Sequence, residues 1–475
     1  MKYLLLLLIT MPVFGQTPEA APAPVPAPAA EEKPKASMSE KLEKKRYYYS
    51  ALNEYFKETY SKEITIKHVE RLEKLLFFTG IELLEDYDHE LLEKYPTSST
   101  RFILARRAFV KKDHKKALSL FDKVHPDHRY YPEALLLTGQ VYGNMNDFKK
   151  EEEKYSACQV AAEKEEGKTE GVKIKRYYRM IYEICLVNKA RRLYKQGKYK
   201  ESLDAYGQIP KQSYKWPYII LEKAWVYYQL GDFNRALGLL VTYKSPLMDT
   251  YFFPEAEYLA ALAYFRLCLY EDSLVIINQY YQFYRPRFAQ LEGVLKKNIA
   301  SQNYFYNLMF KPGEDLKKHE DFVRHIITRL KKQTRFSLDF NSVFKLNQEI
   351  KRIKANEKPV VQEMMVGHLN SVKENMIAKI NYNAKTDIFN FLETVPFFSS
   401  ELFKVNLEVI SRKKDLVYGN KQLAHDRSRG DFSNVKRSRF EQFWKFQGEF
   451  WGDELGDYSL GLKSSCKTIR VKAEE

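Results

Sequence analysis

From about Ser39 onward, apolar residues recur three and four positions apart, the spacing of helices that bury one face. Leu72, Leu75, Leu76 and Thr79 fit one helix, and Leu83, Leu84, Leu91 and Leu92 fit a second or broken one. Tyr95-Pro96 ends that run, because proline disfavours helix at the residue before it. The pattern then becomes a repeat. A small residue stands at Ala105, Gly139, Ala190, Ala224 and Ala261. Twelve positions later come Ala117, Glu151, Ser202, Ala236 and Ser273, and four further on Phe121, Tyr155, Tyr206, Leu240 and Ile277. Tyr142, Tyr227 and Tyr264 hold the slot three after the small residue. Asn146-Asp147-Phe148, Gly197-Lys198-Tyr199 and Gly231-Asp232-Phe233 read as turns, with Gly or Asn ending one helix and Asp capping the next. Pro132, Pro217 and Pro254 sit where a helix start needs no N–H. Steps of 34, 51, 34 and 37 residues separate the small residues, and the long step carries a charged insertion around Glu163–Lys175 that reads as a loop or a helix extension.

A period near 34 residues predicts a stack of helical hairpins. Beyond Tyr284 it stops. Leu346, Ile350 and Ile353 make a short apolar stripe, Met365, Leu369, Val372 and Met376 a second, and Leu402, Val405 and Val409 begin a third. These predict a helical bundle or hairpin against the end of the repeats, or a dimerising coiled coil. The resulting division is 1–15, 16–38, 39–97, 98–285, 286–420 and 421–475.

The small–small–large framework and its turns resemble the tetratricopeptide repeat (TPR) family over about Ser98–Tyr284, with a start as early as Ile64. Departures are Glu151 in a small slot, Lys112 and Cys268 at turn positions, and the 51-residue step. The junction Lys94-Tyr95-Pro96-Thr97-Ser98-Ser99 is similar to those of exported, periplasmic members from bacteria. The resemblance implies a TPR-like helical-hairpin solenoid, and with the apolar stripes beyond Tyr284 the expected fold is all-α: that solenoid followed by a C-terminal helical, coiled-coil-like region. It also implies a concave groove lined one, four and five residues after the small residue, at Arg106, Phe109, Gln140, Asn144, Arg191, Tyr194, Lys195, Trp225, Tyr228, Gln229, Phe265 and Arg266. Slots three and six before it add Phe102, Tyr218, Glu255 and Tyr258. This set is aromatic and cationic with few acids, which suits an acidic peptide; the alternative is that the aromatics pack beneath the second helices or the C-terminal region.

Charge and the N-terminus place that scaffold. Lys2 followed by the apolar run Tyr3–Val13, with small residues at Val13 and Gly15, reads as a secretory signal cleaved before Gln16; an uncleaved anchor is the alternative. The first cysteine is Cys158, so the segment lacks the cysteine of a lipoprotein signal. Pro22-Ala23-Pro24-Val25-Pro26-Ala27-Pro28 predicts an extended spacer. The chain of 475 residues carries a formal charge of +16, which favours anionic partners, including peripheral contact with anionic envelope components. Export argues against nucleic acid. Cys158 and Cys185 fall on neighbouring helices and are either bridged or buried as thiols.

A basic stretch over 420–439 reads as a solvated loop or an anion-docking patch, and the aromatic tail from Phe443 to Tyr458 must bury itself or bind something. His319 and His325 are six apart, not the four a zincin helix needs, and no nucleophile elbow or phosphate loop is present. No metal, cofactor or catalytic set is therefore expected, and the chain reads as a non-enzyme. Sequence thus points to an exported, periplasmic or secreted scaffold that binds proteins or peptides, in cell-envelope assembly or an envelope machine. A structural homo-oligomer, as in a motility apparatus, is the second reading; an envelope-polymer hydrolase is the third.

Overall fold

The computed structural model describes residues 36–311, 313–419, 421–423, 435, 439, 441–466 and 469–471. The segment 1–15 expected to be a signal and most of the expected Pro/Ala spacer lie outside the described residues, as does most of the basic stretch 420–439. Met38–Glu475 form one compact unit, separate from Met1–Ser37.

That unit opens with α1 (Met38–Lys44), α2 (Tyr48–Thr59), α3 (Ile66–Thr79) and, after a 3-10 turn, α4 (His89–Glu93). The repeats follow as hairpins: α5 (Ser98–Val110) with α6 (His114–Phe121), α7 (Tyr131–Asn144) with α8 (Phe148–Lys168), and α9 (Val172–Lys195) with α10 (Tyr199–Gly207). Next come α11 (Trp216–Gln229) with α12 (Phe233–Val241), and α13 (Pro254–Arg266) with α14 (Tyr270–Lys297). The chain closes with α15 (Tyr304–Phe310), α16 (Glu314–Lys317), α17 (Asp321–Lys332), α18 (Thr334–Asn356) and the 60-residue α19 (Pro359–Tyr418). A minimal antiparallel pair joins β1 (Lys421–Leu423) to β2 (Ile469–Val471). The protein is an all-α helical-repeat solenoid.

One local geometry builds all five repeat hairpins. Lys112, Asn146, Gly197, Gly231 and Cys268 each lie seven residues after the small residue and take φ of 61°, 59°, 75°, 72° and 55°. Lys112 and Cys268 lack the Asn or Gly of the other three turns but keep the same left-handed backbone, which asparagine and glycine adopt at lower steric cost. Asp113, Asp147 and Asp232 follow these turns and accept from the backbone N–H three residues on. The small slots are where helices meet: Ala105, Ala117, Ala190, Ser202, Ala224, Ala236, Ala261 and Ser273 are all fully buried. The Ser202 and Ser273 hydroxyls donate to the carbonyls of Ala190 and Ala261, so both buried polar groups are satisfied. A Cβ on Gly139 would come 2.5 Å from the Tyr155 ring, so glycine is needed there for the large residue to fit. Glu151 fits its small slot because Gly143 leaves room for its carboxylate, which faces Arg192 at 3.7 Å.

The N-terminal hairpin α1–α2 repeats this geometry. Ser39, Ala51 and Tyr55 are fully buried at the small, small and large slots, and Arg46 turns left-handed at φ 61°. The solenoid therefore begins earlier than the periodicity from Ser98, or even Ile64, indicated. The insertion Glu163–Lys175 lengthens α8 to 21 and α9 to 24 residues, and a disulfide joins Cys158 to Cys185 between them. A second disulfide, Cys268–Cys466, was not foreseen.

The C-terminal helices bridge the solenoid. Glu349 of α18 accepts from the Tyr49 and Ser50 N–H groups and the Ser50 hydroxyl, capping α2. Further along, α19 binds Glu85 through Lys379, then receives the Tyr280 and Tyr281 hydroxyls of α14 on the carbonyls of Val395 and Ser399. Leu346, Ile350, Ile353, Met365, Leu369, Met376, Leu402, Val405 and Val409 all face this intramolecular core, with Val372 half-buried beside it. The apolar stripes that allowed a dimerising coiled coil are thus consumed within the chain. On the other side of α19, Phe403, Leu407, Ile410 and Val417 are exposed.

Candidate functional site

The first helices of the middle repeats, with Phe148, Glu151 and Tyr155 of α8 and Tyr206 of α10, line an open cavity of about 980 Å³. Of the twelve residues expected in the groove, Phe109, Gln140, Asn144, Arg191, Tyr194, Lys195 and Trp225 line it. Gln229 stands at its edge and donates to the Tyr194 hydroxyl over 3.3 Å. Arg266 donates to the Tyr228 hydroxyl at 3.1 Å, and Tyr228 lies edge-on to Trp225. Arg106 is drawn away to Glu85 at 3.0 Å. Phe265 packs on the core that holds α19, and Tyr258 meets Phe398 of that helix. Phe102 is buried against Tyr130, and half-buried Tyr218 lies edge-on to Phe253. The alternative that some groove aromatics pack under the C-terminal region holds for Phe265 and Tyr258.

The electrostatics of the cavity correct the expectation of a cationic groove with few acids. Glu151, Glu222 and Glu255 line it beside Arg191, Arg192 and Lys195. Arg191 forks onto Glu222 through Nε at 2.8 Å and Nη2 at 2.6 Å, and the Tyr206 hydroxyl donates to the same carboxylate at 2.6 Å. That bidentate bond holds the Arg191 guanidinium above its ordinary pKa. Burial, reinforced by the Glu222 charge, raises the Tyr206 phenol well above the usual tyrosine range. Trp225 Nε1 donates to Glu255 at 2.8 Å, while burial raises the Glu255 carboxyl. Burial also raises Glu151, against the pull of Arg192.

What the cavity leaves open is amide chemistry. The carboxamides of Gln140, Asn144 and Asn188 line it and make no hydrogen bond within the protein among the described residues. Asn188 and Glu222 occupy the same place in the repeat, two residues before the small residue, which the expected slots skip. That shared register is the sequence signal that could have found both. Gln140 and Asn144 are one turn apart on α7, about 6 Å along the axis. Alternate residues of an extended chain repeat at about 6.7 Å.

Ser99, His128 and Glu73 come together outside this cavity, where Ser99 is fully buried with its Oγ 3.3 Å from His128 Nε2. Ser99 Oγ donates to Glu73 Oε2 at 2.6 Å, and His128 Nε2 lies 3.2 Å from that same oxygen. The Ser99 N–H also donates to Glu73, so the cluster caps α5. Although burial opposes ionisation, the bonds from His128 and Ser99 hold the Glu73 pKa at about 2. Among the described residues, no group of three potential ligands gathers at a metal site, and no helix is long and apolar enough to cross a membrane.

No protein-family model matches the chain, and no curated protein does. Solved structures with some similarity include the Rap conjugation gene regulator of the plasmid pLS20 in complex with the Phr* peptide. It is 14% identical at a TM-score of 0.30, covering 69% of this chain and 94% of that one. The apo form of RapI is 12% identical at a TM-score of 0.33, covering 79% and 96%. Neither likeness is strong enough to carry weight for function. The fold class stands on the chain's own helices and turns.

Proposed function

We propose that this protein is an exported, non-enzymatic scaffold of the TPR type that holds an extended peptide segment of a partner protein in its concave cavity. The observation that carries this reading is the open row of Gln140, Asn144 and Asn188 between Phe109 and Trp225. Each carboxamide offers one acceptor and two donors, which matches the main chain of a peptide in any sequence. Exposed Lys195 and the Arg191–Glu222 fork add selectivity: a ligand carboxylate placed here meets Lys195 and competes with Glu222 for Arg191. The partner is therefore acidic at that point, not along its whole length.

The periplasm or cell envelope is the proposed location. The N-terminal signal pattern supports it, and so does the pairing of all four cysteines, which suits an oxidising compartment. Envelope assembly or an envelope machine is the proposed setting. Capture of envelope proteins by wild type, Lys195→Glu and the pair Asn144→Ala with Asn188→Ala tests the groove. Loss in both variants is expected; undiminished capture by the paired variant sinks the reading. N-terminal sequencing of the exported chain, expected to begin at Gln16, tests the location.

A second reading, a structural homo-oligomer, draws on the exposed stripe Phe403, Leu407, Ile410 and Val417. Its 4-3-7 spacing suits a paired helix. Sedimentation at micromolar concentration separates the two, since a monomer removes the oligomeric reading.

A further inference from the structure

Residues 441–466 do not fold as an element of their own; they run as extended chain and turns across α11, α12 and the α13–α14 turn. None of the α12 residues lines the concave cavity, so this is a different face of the repeats. The contacts there read main chain. The Asn234 carboxamide receives the Leu462 N–H on Oδ1 at 2.9 Å and donates from Nδ2 to the Leu462 carbonyl at 3.1 Å. The Asn234 carbonyl accepts the Leu460 N–H at 3.0 Å, and the Leu267 carbonyl accepts that of Ser465 at 2.9 Å. Thr242 Oγ1 accepts the Gly456 N–H at 3.0 Å. Leu455 and Leu462 are the buried anchors, in one apolar cluster with Trp216, Leu237 and Leu240. Gly238 lies mid-helix, where glycine is unfavourable, and a Cβ there would overlap the Tyr458 carbonyl. A backbone crosses too closely for any other residue. Cys268–Cys466 closes the far end covalently.

We infer that the α11–α13 face is a second peptide-binding site, specific for a two-leucine segment in extended conformation, and that the chain fills it with its own residues 455–466. The Cys268–Cys466 bond is the lock on that resident ligand. The site recognises backbone by one carboxamide in both directions, places two leucines in apolar sockets and requires a bare helix surface at Gly238.

Hydrogen exchange of the full chain tests the inference. Gly238→Ala favours the helix itself, so the fold is retained. It is expected to reduce protection of the Gly456, Leu460 and Leu462 amides at least tenfold while α11 and α13 amides keep theirs. Unchanged protection of those three overturns the proposal. A second arm uses a full chain carrying Leu455→Asp, Leu462→Asp and Cys466→Ser, whose own segment is dislodged. A labelled synthetic peptide of residues 453–466 is expected to bind it saturably, and at least tenfold more weakly once Gly238→Ala is added. No saturable binding, or binding indifferent to Gly238→Ala, overturns the proposal.

Discussion

The concave cavity and the α12 face offer the same chemistry in two states. On the α12 face the Asn234 carboxamide is satisfied in both directions by a peptide backbone that the chain supplies. In the concave cavity Gln140, Asn144 and Asn188 present that chemistry with no internal partner among the described residues. The two also differ in charge. Apolar sockets anchor Leu455 and Leu462 on the α12 face, whereas two ion pairs, Arg191–Glu222 and Arg192–Glu151, line the concave cavity. A fully buried amide without a partner costs on the order of 1–3 kcal/mol; exposed Asn144 and half-buried Gln140 and Asn188 stay within reach of solvent, which leaves them available to a ligand. The α12 face shows what an occupied site on these repeats looks like; the concave cavity shows the unoccupied form.

The largest expected effect separates the regions by their disulfides. Cys158 and Cys185 are fully buried in the small apolar cluster of α7–α9, whereas Cys268 and Cys466 are half-buried. In the chain-entropy limit, removing the 27-residue Cys158–Cys185 closure costs about 3.5 kcal/mol. Denaturant unfolding of the paired Cys→Ser variant checks this. Under native conditions a dithiol is expected to reduce Cys268–Cys466 first, taking up the oxidation as its own disulfide and leaving two thiols on the chain. Alkylation at timed intervals with mass analysis follows the order; equal rates would erase the contrast.

The concave cavity is next. Asn144→Ala with Asn188→Ala is expected to weaken peptide binding by about 2 kcal/mol, or roughly 30-fold, from two lost hydrogen bonds. Melting temperature and the α12-face exchange pattern should stay unchanged. Gly139→Ala pushes a methyl into the Tyr155 ring beneath the same cavity. Overpacking of this kind costs about 1–3 kcal/mol. Chemical denaturation checks it, and the loss should exceed that of Gly238→Ala, whose overlap is with the tail alone.

The smallest effects depend on pH and have opposite signs. Glu73 is held at about 2 against an ordinary 4.5, so its stabilisation is full above about pH 4.5 and lost as pH falls toward 2. Glu257 is the reverse. Burial lifts it to about 8, and its Oε2 has no hydrogen-bond partner among the described residues. Stability falls as pH rises from about 4.5 to 8 and levels off above. Glu257→Gln should therefore stabilise the chain more at pH 9 than at pH 5, while Glu73→Gln should cost about 1 kcal/mol at pH 7 and little near pH 2. Melting curves across this range read both.

The hairpins were legible because the small, small and large slots and the turn residue repeat on one register. Ser39, Ala51 and Tyr55 carry that register too, but α1 has only 7 residues and lacks the aromatic three after Ser39, so the first hairpin was hidden. The cavity was legible in part. The repeat slots named Asn144, Arg191 and Trp225, but no one-dimensional slot shows that Arg191 turns to Glu222 or Arg106 to Glu85. Pairing across neighbouring repeats depends on side-chain reach between helices some 30 residues apart in sequence. Packing of the C-terminal helices on the end of the repeats was one of two sequence readings; the reach of α18 and α19 back to α2 and Glu85 was not legible. The apolar stripes of these helices fit an intramolecular and an intermolecular partner equally until the opposite surface is known.

Display selection against the full-length chain tests the central claim most directly. A library of random extended peptides is panned on the wild-type protein, and the enriched peptides are titrated against the Asn144→Ala, Asn188→Ala pair and against Gly238→Ala. Enriched peptides should bind wild type and Gly238→Ala alike and lose at least tenfold in affinity on the paired variant. Absence of enrichment, or enriched peptides that the paired variant binds as tightly as wild type, would contradict a peptide site in the concave cavity.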